Sequence, residues 1–87
     1  MAEVREAARW YGERGLELDV AFLDEVASVL AEVRASPARY PKIDADLRKA
    51  PLRRFPYVIL YRAEAEEIVV VACCHGRRDP QEWRTRL

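Results

Sequence analysis

The sequence predicts an α+β fold in which an N-terminal antiparallel helical hairpin packs on a three-stranded antiparallel sheet, with a short C-terminal helix after the last strand. Three observations carry that expectation. The apolar period changes from 3.6 residues to 2 between Pro37 and Asp46, which is the change from a helix face to a half-buried strand. The block Arg53-Arg54-Phe55-Pro56-Tyr57-Val58-Ile59-Leu60-Tyr61-Arg62 alternates aromatic and β-branched residues. A second apolar run, Val69-Val70-Val71-Ala72-Cys73-Cys74, then stops abruptly in His75-Gly76-Arg77-Arg78-Asp79-Pro80. The chain has 87 residues, 51% hydrophobic and 34% charged, which suits one globular domain spanning residues 1–87.

From Ala2 to Arg14, the residues Val4, Ala7, Ala8 and Tyr11 follow the i, i+3, i+4, i+7 spacing of one helix face, with Gly12 and Gly15 expected to end it. Asp19 is placed to cap a second helix whose stripe is Phe22, Val26, Val29, Leu30 and Val33, closed by Pro37. After a loop containing Pro37, Pro41 and Asp44, strands are expected at roughly 46–55, 57–63 and 67–75. Glu64-Ala65-Glu66 joins the last two without the Asn-Gly or Gly signal of a tight hairpin. Pro80 fits the first turn of the short terminal helix that carries Trp83. In the middle strand Tyr57, Ile59 and Tyr61 share one face, and Val58, Leu60 and Arg62 the other. The third strand is apolar on both faces, so one face can be covered by the hairpin while the other needs the C-terminal segment, a second copy or a partner chain.

Charge is distributed unevenly. Residues 1–37 hold four arginines against eight carboxylates, a balance of −4, which leaves +4 on residues 38–87 because the whole chain is neutral. Arg48, Lys49, Arg53, Arg54, Arg77, Arg78, Arg84 and Arg86 gather near the strands and tail, which suggests a polyanionic or acidic partner, or else an ordinary solvated surface. The acidic second helix excludes a DNA-reading helix-turn-helix, because a recognition helix must approach phosphates. Cys73 and Cys74 are neighbours in a strand and point to opposite faces, so they are expected to be reduced core residues. His75 is the one histidine, and a zinc site needs more ligands than it and the cysteines supply, so neither a metal nor a cofactor is expected. No apolar run approaches the ~18 residues of a membrane span, and the N-terminus lacks the basic start and apolar core of a secretory signal, so a cytoplasmic location is expected.

Arg9-Trp10-Tyr11, Phe22-Leu23-Asp24-Glu25-Val26, Tyr40-Pro41, Phe55-Pro56-Tyr57, Tyr61-Arg62 and His75-Gly76-Arg77-Arg78-Asp79-Pro80 follow one another in an order that resembles the RelE/ParE superfamily of type II toxin-antitoxin toxins. The resemblance covers nearly the whole chain and lies closest to the ParE type. It implies two helices against a mainly antiparallel sheet, silenced by a cognate antitoxin wrapped around the toxin. Members usually open with a β-strand, whereas this chain opens in a helix. Either the reading frame starts late, or the sheet is reduced and has an open edge, which is a template for strand addition by an antitoxin or by another copy in a homodimer.

The superfamily divides by mechanism. RelE-like members cut mRNA on the ribosome, and ParE-like members poison DNA gyrase by binding. Metal-free ribonuclease chemistry needs cations at the scissile phosphate and groups that move protons. Arg78 fits the RelE-type arginine after the last strand. The arginine that follows the middle-strand tyrosine in RelE-type enzymes is Val58 here, and their C-terminal catalytic tyrosine falls near Trp83 or Arg84. The resemblance therefore implies a ParE-like protein that binds its target through Arg77, Arg78, Trp83 and Arg84. The alternatives are an endoribonuclease using Arg54, His75 and Arg78, with His75 as acid or base, and a degenerate, non-toxic member kept for antitoxin binding. His75 also reads as a strand-end histidine bonded to the next turn, Asp79 as a partner for Arg77 or Arg78, and Trp10 and Trp83 as core residues.

Overall fold

A computed structural model describes residues 2–76. Helix α1 spans Ala2–Arg14 and helix α2 spans Leu18–Ala35, followed by strands β1 (Lys42–Asp44), β2 (Leu47–Pro51), β3 (Tyr57–Ala63) and β4 (Ile68–His75). The strands form an antiparallel sheet in the order β1-β2-β3-β4. Both helices pack on one face, giving the expected α+β architecture. The strand count differs from expectation: the strand expected at 46–55 is β2, which ends earlier at Pro51, and an additional short strand, β1, forms in the expected loop before it. Ala45 takes a left-handed conformation, φ 48°, that turns the chain between them, and a three-residue strand carries too few residues for a period to show.

Helix α1 has the expected bounds, but Gly12 does not mark its end, and the start of α2 differs. Gly12 lies inside α1, and a Cβ at this position would stand 3.3 Å from Asp19 Cβ, so the glycine permits close approach of the two helices. Asp19 is not the cap of α2. The helix starts from Glu17 in a left-handed conformation with no side-chain cap, and the Asp19 carboxylate accepts a hydrogen bond from the Val20 N–H at 2.9 Å. The expected β3–β4 turn is present, closed by Glu64 N–H donating to Glu67 O at 2.9 Å.

The strand period places Ala50, Ile59 and Cys73 in one row on the helix-covered face, since Ala50 pairs with Ile59 and Ile59 with Cys73. Phe22, Val26, Val29 and Val33 of α2, with Val4, Ala7 and Ala8 of α1, pack against this row together with Leu52, Phe55 and Tyr61. Phe22 has no solvent access. Its ring stacks on Tyr11 at 5.4 Å and meets Phe55 and Tyr57 edge-on at 5.2 and 5.5 Å, an offset and T-shaped set that ring quadrupoles favour. Tyr61 is equally buried, and its hydroxyl donates to Pro37 O at 2.8 Å, tying the helix-to-sheet connection to β3.

On the opposite face Leu47, Val58, Leu60, Ala72 and Cys74 form a second buried cluster, with Val71 against it. Register shifts in the β3–β4 ladder, so that Leu60 pairs with Ala72 and Tyr61 with Val70, and Val71 is the extra residue of a bulge. The sheet is thus apolar on both faces, as expected, and Cys73 and Cys74 are reduced thiols buried on opposite sides. Trp10 departs from its expected core role: it is 47% exposed, with the Arg14 guanidinium 3.6 Å from its ring centroid. Tyr11, the next residue, takes the core position instead. The expected terminal helix with Pro80 and Trp83 lies outside the described residues.

Replacing Phe22 with Ala is expected to cost about 3–5 kcal/mol by removing a ring from a closed cluster, a large share of the ~5–15 kcal/mol typical of whole domains. Leu23→Ala, one position away and 43% exposed, is expected to cost well under half as much. Urea unfolding followed by far-ultraviolet circular dichroism compares the two.

Candidate functional site

The β2–β3 connection, residues 52–56, carries two consecutive arginines and is held against α2 by carboxylates. Glu25 accepts hydrogen bonds from the backbone N–H of Arg53 at 3.0 Å and of Arg54 at 2.9 Å. Successive amides converging on one anion satisfy donors that a turn otherwise leaves to water. One α2 face carries both Glu25 and Glu32, seven residues apart. Glu32 takes the Arg53 guanidinium at 2.9 Å and the Tyr40 hydroxyl at 2.9 Å. The Tyr40 hydrogen bond, the largest effect, holds the Glu32 carboxyl below its ordinary value of 4.5; burial opposes it, and the hydrogen bond and charge of Arg53 help. Burial and then Glu32 push the Tyr40 hydroxyl up. Arg48 completes the frame, donating to Tyr40 O at 2.6 Å. Arg54 forms no ion pair among the described residues and leans toward the Phe55 ring at 6.0 Å.

His75 ends β4 elsewhere. Its ring meets Tyr57 edge-on at 5.7 Å, and Gly76 N–H donates to Pro56 O at 2.9 Å, fixing where the strand leaves the sheet. It lines an open cleft of about 320 Å³ between α1 and β4 with Glu3, Glu6, Trp10 and Tyr57. Among the described strands β4 is an edge, and Glu3 Oε2 accepts the outward Cys73 N–H at 3.4 Å. A carboxylate on that amide blunts the edge against unplanned pairing. Burial, with help from Glu3, raises the Cys73 thiol to about 11, which leaves it protonated and unreactive near neutral pH.

Of the residues singled out from sequence, Arg54 and His75 are described, and they line different clefts: Arg54 lies with Glu17, Val20, Asp24, Glu25 and Arg53, and His75 with Glu3, Glu6 and Trp10. Arg77, Arg78, Trp83 and Arg84 lie outside the described residues. Sequence reading quoted Glu25 and Tyr40 only as parts of motifs and missed the role that they and Glu32 have in holding the arginine loop. The seven-residue spacing of the two glutamates, opposite an Arg-Arg turn in a chain with few other polar contacts to that helix, was the available signal. Among the described residues no group of three or more His, Cys, Asp or Glu could hold a metal, and no helix is long and apolar enough to cross a membrane.

Because Glu32 titrates lower in the folded chain than its ordinary value, its contacts contribute to stability above the unfolded-state value and are lost as pH falls through the folded one. Tyr40→Phe is expected to move the Glu32 carboxyl midpoint upward toward 4.5, read by carboxyl-carbon NMR titration. Glu25→Ala is expected to speed amide exchange at Arg53 and Arg54 by roughly 10- to 100-fold, since an acceptor worth about 1.5–3 kcal/mol is lost.

A family model for the ParE toxin of the type II toxin-antitoxin system, parDE, matches residues 1–80. No curated protein matches the chain, and neither does any solved structure. The family match takes in both helices, all four described strands and the His75-Gly76-Arg77-Arg78-Asp79-Pro80 segment. The chain belongs to the ParE toxin family of type II toxin-antitoxin systems.

Proposed function

We propose that this toxin arrests growth by binding a target such as DNA gyrase in the cytoplasm, and that a cognate antitoxin neutralises it. The observation that carries the binding mechanism is Val58. It stands where RelE-type enzymes carry an arginine, and it is buried in the apolar cluster with Leu47, Leu60, Ala72 and Cys74, a setting that would place no cation at a phosphate. The separation of Arg54 and His75 into different clefts supports the same reading. Target contact is assigned to Arg77, Arg78, Trp83 and Arg84, which follow the strand end fixed by the Gly76–Pro56 hydrogen bond. The edge position of β4 and the exposed Leu16, Val20 and Leu23 suit an antitoxin or a second copy in a homodimer.

The second reading, a ribosome-dependent endoribonuclease, is favoured by one feature: His75 shares its cleft with Tyr57 and two carboxylates, groups able to move protons. Supercoiling by gyrase and mRNA cleavage on ribosomes, assayed with one preparation, distinguish the two. Inhibited supercoiling with intact mRNA is expected. Cleavage in the ribosomal A site that His75→Ala or Arg78→Ala lowers ~100-fold or more, as loss of a general acid or base would, contradicts the proposal. Absence of both activities, with unimpaired growth, points to a degenerate member that only binds antitoxin.

A further inference from the structure

Arg62 is out of keeping with its surroundings. It lies on the sheet face away from the helices, paired with Leu47 of β2 and Val69 of β4, so an aliphatic side chain flanks it on each side. Its Nε is sealed from water with no hydrogen-bond partner. Arg62 forms no ion pair among the described residues, and neither does Lys49. Lys49 pairs with Leu60, which puts it diagonally from Arg62 at a spacing of roughly 7–8 Å. Two like charges therefore share a face with Leu47, Val58, Leu60, Val69, Val71, Ala72 and Cys74, and the described carboxylate on it, Asp44, lies on the far side of Leu47 and forms no ion pair with Arg62. Leu47 is closed off at 2% exposure, whereas Arg62, Lys49, Val69 and Val71 are only half-buried. This end of the face is where another chain can reach the arginine.

We infer that Arg62 is a docking point for a carboxylate of the antitoxin, carried on a segment whose neighbouring aliphatic side chains cover Val69 and Val71. The inference rests on the reading that an antitoxin binds this toxin, and it adds where and by what chemistry. A guanidinium with an unmet N–H is suited to a planar, bidentate acceptor. The aliphatic surroundings favour a peptide over a nucleic acid, because a phosphate backbone calls for a stripe of cations and buries no apolar surface.

The test is calorimetric titration of the chain with its cognate antitoxin, purified separately, together with thermal unfolding of each variant alone. Arg62→Met is expected to weaken the complex by ~10-fold or more, the scale of a charge-assisted hydrogen bond, while leaving the free chain's Tm within about 4 °C of wild type. Arg62→Lys should recover only part of the loss, since a point charge lacks the fork. A complex unweakened by Arg62→Met overturns the inference and leaves the antitoxin reading intact. A fall in Tm well beyond that margin also overturns it, because the arginine is then paired within its own chain. Loss of binding to a single-stranded RNA, with antitoxin affinity unchanged, replaces the carboxylate with a phosphate. Failure of the wild-type chain to bind that antitoxin at all overturns the antitoxin reading and the inference together.

Discussion

Everything the described chain presents to a partner depends on one aromatic junction. Phe22 is without solvent access and touches Tyr11 from α1, Phe55 from the β2–β3 connection and Tyr57 from β3. Both helices, the arginine loop and the central strand therefore meet at one ring. In a small domain, which buries only about 60–65% of the surface its unfolded chain exposes, such a shared contact does more than fill volume. It makes the position of each element conditional on the others, because removing the ring leaves a cavity bordered by all of them.

Polar contacts then set details that apolar packing leaves open. Hydrophobic burial presses α2 on the sheet and anchors Leu52 and Phe55 in the core, but it does not fix the course of Arg53 and Arg54, which lie exposed between them. Glu25 does so by taking the Arg53 and Arg54 amides, and Glu32 by joining Arg53 to Tyr40. The acidic half of the chain is thus partly spent on ordering the basic half. The charge asymmetry read from composition has an internal role as well as any role in attracting a partner. Arg54 and Arg62 are left outside this internal pairing, one beside the arginine loop and the other on the far face of the sheet.

Much of the fold was legible because its signals are periodic. The stripe of Phe22, Val26, Val29 and Val33 and the alternation of Tyr57, Ile59 and Tyr61 against Val58 and Leu60 repeat often enough to define a face. Features set by single residues were not legible. The left-handed turns at Glu17 and Ala45 occur in residues that seldom adopt them, so the start of α2 and the turn between β1 and β2 escaped notice. Trp10 was misassigned because it lies one position from the α1 stripe, where Tyr11 holds the buried place. The candidate site was legible only in part: the Arg-Phe-Pro-Tyr and His-Gly-Arg-Arg motifs stand out by type, whereas Glu25 and Glu32 gain meaning only when folding brings them to a loop some 20 to 30 residues away.

On the proposed reading this toxin acts through recognition surfaces, and the structural account holds that those surfaces are preformed because the junction at Phe22 couples the elements beneath them. Native-state hydrogen exchange tests that coupling most directly. If the account is right, the slowest amides of α2 and of β3 open together, at one free energy equal to that of global unfolding, and with the same denaturant dependence. Exchange of the α2 amides through a separate opening of distinctly lower free energy, while β3 stays protected, would contradict it.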